Sequence, residues 1–124
     1  MQAEEAKPSI LIVDDEASIR TALQRWFTLR GFEVHQAADG QEAVALCGKC
    51  SFDAITMDLE MPNMGGIEAT VEIKKLLPEV PVIVLTGYSK NADVAVTNGA
   101  AKVLSKPLRL KELETEVRNV IAQQ

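Results

Sequence analysis

Three segments of the chain, 9–13 (SILIV), 53–57 (DAITM) and 80–86 (VPVIVLT), are apolar almost from end to end. A strand of that composition has no polar face to give to water. It needs cover on both sides, as in a parallel sheet between two layers of helices. The segments between these runs have helical periodicity. Ile19, Ala22, Leu23, Trp26 and Phe27 recur at three-and-four spacing and predict a helix with one apolar face, which Gly31 is placed to terminate. Residues 32–37 (FEVHQA) alternate as a strand does, and 39–47 (DGQEAVALC) read as a helix with Asp39 near its N-cap. A helix over 67–77 is stopped by Pro78, residues 91–98 hold about two helical turns, and 101–105 (AKVLS) read as a fifth strand. Leu110, Leu113, Val117, Val120 and Ile121 mark the inner face of a last helix. Five strands alternating with five helices predict an α/β fold of (βα)5 type, a doubly wound five-stranded parallel sheet whose right-handed crossovers bring helices to both faces. In such sheets ligands gather beyond the carboxyl ends of the strands, at the topological switch point.

Composition narrows the function more than the fold. The 124 residues fit one domain with a single core, and the net charge of −5 argues against nucleic-acid binding as the main business of the chain. No apolar stretch approaches the ~20 residues of a membrane span, which argues against membrane insertion. The acidic, polar start (MQAEEAKPS) argues against a signal peptide and for the cytoplasm. Residues 1–7 read as a polar tail and 8–122 as the folded domain. Cys47 and Cys50 form a C-x-x-C, but a zinc site needs about four ligands and His35 is the chain's only histidine. The pair follows a helix, whose C-terminal dipole opposes a thiolate, so it reads as two small apolar side chains, partly buried, near a helix end.

The polar residues that need an explanation all sit at strand ends. Asp14 and Asp15 follow the first strand, Asp58 the third, Thr86 the fourth and Lys106 the fifth. Carboxylates converging in one cleft repel unless a cation joins them, and an all-oxygen cluster suits Mg²⁺. A threonine hydroxyl and a lysine ammonium are groups that hydrogen-bond and neutralise a phosphoryl group. Each residue has an ordinary reading alone: Asp15 as a helix cap, Thr86 as a β-branched strand residue, Lys106 as a solvated cation. D-D, D, T and K-P at successive strand ends, in that order, are far more specific together. Pro107 makes Lys106–Pro107 a candidate cis bond.

With LIVDDE, ITMDLEMPNMGG, VIVLTG and LSKPL in these places, the sequence resembles the receiver domain of two-component response regulators, of the chemotaxis-regulator kind. The resemblance runs from Pro8 to about Ala122 and implies the flavodoxin-like strand order 2-1-3-4-5, for which a member of this family is a standard example. It implies Asp58 as phosphoacceptor, with Mg²⁺ held by Asp15, Asp58 and the backbone carbonyl of Glu60, and with Asp14 acting mainly through water. Thr86 is expected to bond a phosphoryl oxygen and Lys106 to pair with the acyl phosphate. Pro62, Gly65 and Gly66 correspond to the loop that shapes the site. The implied donor is the phosphohistidine of a sensor histidine kinase or phosphotransfer protein. The chain is then no enzyme beyond its own phosphorylation and dephosphorylation.

Glu60 and Tyr88, two residues beyond Asp58 and Thr86, are expected to be loop-exposed and to set the lifetime of the phosphorylated form. Val103 stands where the family commonly has Tyr or Phe, and the fourth helix is expected to be curtailed. Two other readings remain. One is a Mg²⁺-dependent phosphohydrolase with an aspartyl nucleophile, faintly suggested by DLE (58–60), although the acidic pair precedes that motif and a substrate cap has no room. The other is a degenerate receiver serving only as an interaction module. The sequence leaves open the kinase, the downstream target, and whether an effector domain follows Gln124.

Overall fold

A computed structural model of the chain describes residues 7–61 and 64–124. The strands β1 (Ser9–Val13), β2 (Glu33–Ala37), β3 (Ala54–Asp58), β4 (Val82–Thr86) and β5 (Lys102–Ser105) form one sheet, all neighbours parallel, in the order 2-1-3-4-5. The helices α1 (Ala17–Leu29), α2 (Gly40–Cys47), α3 (Gly66–Leu76), α4 (Ala92–Thr97) and α5 (Leu110–Ala122) connect and follow them, with a 3₁₀ turn, Ser89–Asn91, ahead of α4. This is the doubly wound sheet that the apolar runs predict.

Alternate residues of the central strands feed two cores. Ile10, Ile12, Ile83 and Leu85 face Leu23 and Phe27 of α1 and Leu113, Val117 and Val120 of α5. Leu11, Val13, Ile55, Met57, Val82 and Val84 face Ala43 and Cys47 of α2, Ala69 and Ile73 of α3 and Ala95 of α4. All five residues of β3 and of β4 are buried, so these strands can carry no charge inside the ladder except where they end. Phe27 is fully buried and meets Phe32 edge-on at 5.0 Å between ring centroids. Truncating such a ring costs about 3–5 kcal/mol.

Helix ends follow the expected chemistry. Gly31, at φ +94°, closes α1: its N–H donates to Thr28 O at 3.2 Å and the N–H of Phe32 to Phe27 O at 2.9 Å. Gly99, at φ +110°, does the same for α4 through Ala100 and Ala95. Asp39 is the N-cap of α2 and accepts the Glu42 N–H at 2.9 Å. Three readings need correction. Strands β2, β3, β4 and β5 begin one or two residues later than their apolar runs. On α1 the buried face is narrower than the pattern, since Ile19 and Ala22 are exposed while Leu23 and Phe27 are buried; Ile19 instead overhangs a groove beside Pro107 and Leu108. Of the cysteines, Cys47 is buried as read but Cys50 is exposed.

Candidate functional site

The register of the sheet assembles the site. Val13 pairs with Met57, so Asp14, the next residue after β1, comes level with Asp58 at the end of β3. Asp58 pairs with Leu85, and Thr86 with Ser105, so Thr86 and Lys106 follow in turn along the same edge. Backbone bonds fix the rim: Lys106 N–H donates to Thr86 O at 2.9 Å and Leu59 N–H to Leu85 O at 3.0 Å. The Lys106–Pro107 bond is cis, as the sequence suggested.

One carboxylate oxygen each from Asp14, Asp15 and Asp58 lies within 4.8 Å of the others, a spacing that fits a shared cation. Asp14 and Asp58 are buried and Asp15 is exposed, so the cluster has a dry floor and an open lip. Asp58 Oδ1 accepts from Lys106 Nζ at 2.6 Å and from the Glu60 N–H at 3.1 Å. Asp14 Oδ1 accepts the Glu16 N–H at 2.9 Å, and its carbonyl accepts from Arg20 at 2.6 Å. Arg20 thus ties the first turn of α1 to the acidic loop, a contact no motif announced, because it is made to the main-chain carbonyl of Asp14, which leaves no trace in residue type.

Electrostatics matches a site built for a cation. Burial pushes the Asp58 carboxyl above its ordinary range, against the hydrogen bond and charge of Lys106, which pull it down. Burial does the same to Asp14, helped by the charges of Asp58 and Asp15 and opposed by the Glu16 N–H and Lys106. For Lys106 burial acts downward, yet its bond to Asp58 and the surrounding carboxylates hold the ammonium above its usual value. One lysine does not balance this many acids.

Thr86 is buried, and its hydroxyl donates to Glu60 Oε2 at 2.7 Å. Glu60 Oε1 accepts the Gly87 N–H at 3.1 Å and lies 3.8 Å from Lys106 Nζ. Glu60 is therefore half-buried and bonded, not a free loop side chain as expected, because the β3 and β4 ends are adjacent and its side chain spans them. Tyr88 is exposed, as expected. Of the loop residues, Pro62 lies outside the described residues. Gly66 is sterically obligatory: a Cβ there would stand 2.6 Å from the Asp58 carbonyl oxygen and 2.8 Å from Leu59 Cα. Gly65 has open space around it and needs no glycine on that ground. Val103 pairs with Val84 and packs, half-buried, on the α2–α3–α4 side, while α4 is only six residues long.

A parallel 2-1-3-4-5 sheet with acids, Thr and Lys at consecutive strand ends defines a class of signalling domain. Residues 10–118 match the family model of the response regulator receiver domain, and the chain belongs to that family. It is 37% identical over 117 residues to a probable transcriptional regulator, ycf27, of Porphyridium aerugineum, covering 93% of this chain and 48% of that one. The chain spans about half the length of that relative, or less for another regulator, AtoC of Escherichia coli, of which it covers 25%. Among solved structures it is similar to a CheY-like receiver domain protein of Methanospirillum hungatei, with TM-score 0.91, 28% identity and 95% and 96% of the two chains covered. It is also similar to the response regulator TrrA of Thermotoga maritima in complex with Mg²⁺ and beryllofluoride, with TM-score 0.83, 32% identity and 91% and 98% covered. The chain is a receiver domain of two-component response regulators, and no helix among its described residues is long and apolar enough to cross a membrane.

Proposed function

We propose that Asp58 takes a phosphoryl group from the phosphohistidine of a sensor kinase or phosphotransfer protein, in the cytoplasm, and that this switches the domain's conformation and partner binding. The observation that carries the reading is the position of Asp58: buried at the end of a central strand, 2.6 Å from Lys106 and within 4.8 Å of two further carboxylates. A structural ion pair needs no such surplus of acid. The residues fit Mg²⁺, with Asp14, Asp15, Asp58 and the Glu60 backbone carbonyl as its holders, and when bound it supplies positive charge against the phosphoryl oxygens.

The chain's own residues do the rest. A carboxylate oxygen of Asp58 attacks phosphorus in line, the phosphorus–nitrogen bond breaks, and the histidine nitrogen leaves with that electron pair. Lys106 neutralises charge that develops on the transferred group, and its ammonium is already in contact with the nucleophile's carboxylate. Thr86 offers its hydroxyl to a phosphoryl oxygen. Hydrolysis of the resulting acyl phosphate resets the domain. The Mg²⁺–beryllofluoride complex of the Thermotoga relative supports the same metal and the same acyl-phosphate chemistry here. The test is labelling of the purified protein by a phosphohistidine donor. It should need Mg²⁺, weaken strongly in Asp15→Ala, and vanish in Asp58→Asn; undiminished labelling of Asp58→Asn at the normal site overturns the reading.

A further inference from the structure

The hydrogen-bonding capacity of Thr86 is fully used. Its single hydroxyl proton points to Glu60 Oε2 at 2.7 Å, with the Tyr88 carbonyl a weaker alternative at 3.5 Å. Its oxygen accepts the Tyr88 N–H at 3.1 Å and Asn91 Nδ2 at 3.3 Å. A hydroxyl has one proton and two lone pairs, so this Thr86 has nothing left for a new acceptor. The Glu60 carboxylate also holds the Gly87 N–H at 3.1 Å and faces Lys106 Nζ at 3.8 Å. Three donors from the ends of two strands thus converge on one anion. They include the two groups, Thr86 and Lys106, that the proposed function assigns to the phosphoryl group.

We propose that the Glu60 side chain is a built-in stand-in for the phosphoryl group, filling the anion pocket of Thr86, Gly87 and Lys106 and competing with phosphoryl for it. The inference rests on the phosphoacceptor reading and deepens it. A carboxylate and a phosphoryl group share what the pocket recognises, namely negative charge and separated acceptor oxygens. They also repel each other, so the pocket holds one at a time. The Glu60 side chain, one third exposed, has a way out to solvent when the phosphoryl group arrives. Two consequences follow. The loop from Thr86 to Asn91 is held bonded before any phosphorylation, and binding of the phosphoryl group must first break those bonds to Glu60. Each displaced charge-assisted bond weakens apparent affinity by the cost of undoing it.

The experiment compares wild type, Glu60→Ala and Glu60→Gln by amide NMR, with Mg²⁺ and beryllofluoride as the acyl-phosphate mimic. The backbone carbonyl at 60 is retained in both variants, and each protein is titrated at saturating Mg²⁺ so that a change in metal affinity does not enter the comparison. Before the mimic is added, the Gly87 amide proton should move upfield in both variants, since it loses a charged acceptor. After saturation the Gly87 resonances of all three proteins should converge, because the same anion then fills the pocket. Glu60→Ala should bind beryllofluoride about tenfold more tightly than wild type, the worth of roughly one charged hydrogen bond, with Glu60→Gln between. Equal or weaker binding by Glu60→Ala, with wild type binding normally, overturns this inference alone. An unmoved Gly87 proton also overturns it. Failure of wild type to bind the mimic at all overturns the phosphoacceptor reading and this inference with it.

Discussion

Lys106 Nζ stands 2.6 Å from Asp58 Oδ1, across 48 residues of sequence and two strands of the sheet. The pair joins a side chain buried at the end of β3 to one that is one third exposed beyond β5, so one partner is dry and the other can reach incoming ligand. An ion pair of this kind is weak evidence for stability, because the cost of desolvation offsets much of its attraction. The acids around it make the site a place where the fold gives up stability for chemistry.

That trade is measurable at Asp14. Its carboxyl is raised above the ordinary 3.8 by burial, so the folded state holds the proton more tightly than the unfolded state does. Protonation therefore favours folding, and stability is lost as pH rises from 3.8 until the loss is complete above the raised value. Asp14→Asn should stabilise the metal-free protein at neutral pH. The gain should fade as pH falls through 3.8, below which wild type is neutral in both states. Urea melts at several pH values, without divalent cations, check this; a destabilised Asp14→Asn at pH 7 contradicts it.

Gly66 and Gly65 should respond differently to the same substitution. Gly66→Ala drives a Cβ into the Asp58 carbonyl and the Leu59 backbone, neither of which has room to yield. It should cost about 2–3 kcal/mol or more as an overpacked contact and displace the Asp58 main chain. Gly65→Ala meets nothing within 4 Å and keeps an extended backbone at φ −68°, so it should cost no more than about 1 kcal/mol, the loss of glycine as N-cap of α3. Thermal melts of the two variants decide between them.

Glu114 anchors α5 to α1 on the opposite side of the molecule from α3. Its buried carboxylate accepts from Trp26 at 2.9 Å, from Arg30 at 3.0 Å and from Arg118 at 2.8 Å. Burial pushes this carboxyl up, but the bonds from Arg118, Arg30 and Trp26 together outweigh it and hold it below the ordinary 4.5. Its contribution is therefore complete above pH 4.5 and is lost as pH falls through the depressed value. Glu114→Gln should cost about 2 kcal/mol at neutral pH, less than a fully buried pair because both guanidiniums are half-exposed. Its deficit should shrink in strong acid, and a constant deficit from pH 7 to pH 2 would show the account of this cluster to be wrong.

Val103 stands where the resemblance leads one to expect an aromatic ring, and its β-branched side chain has little rotamer freedom. Addition of Mg²⁺ and beryllofluoride should therefore shift amides 86–88 more than those from 91 to 104. Equal or larger changes along the second stretch, covering α4 and most of β5, contradict the expectation that the response centres on the loop after Thr86.

What the sequence makes legible is whatever depends on local pattern. The apolar runs of β1, β3 and β4 identify the sheet because strands buried on both faces can be little else. Strand starts shift by one or two residues because a ladder begins where a partner is available: Phe32, read as strand, is used to close the end of α1. Asp14, Asp15, Asp58, Thr86 and Lys106 are legible because strand ends in this fold share one edge. The Glu60 side chain is not, since its partners Thr86 and Gly87 are 26 and 27 residues away and its placement depends on register. Gly87 acts through its backbone N–H, which leaves no trace in residue type. Glu114 had a signal that the pattern of apolar residues hid: it lies next to Leu113 and three before Val117, on the buried face of α5.

The most direct measurement is the position of the phosphoryl group itself. The protein is incubated with Mg²⁺ and a phosphohistidine donor, reduced with borohydride, which converts an aspartyl phosphate to homoserine, and sequenced as peptides by mass spectrometry. Homoserine at position 58 alone, absent without Mg²⁺ or donor, is the predicted result. Homoserine at Asp14 or Asp15 in place of 58, or phosphate retained only on a hydroxyl or histidine side chain, would contradict the central claim.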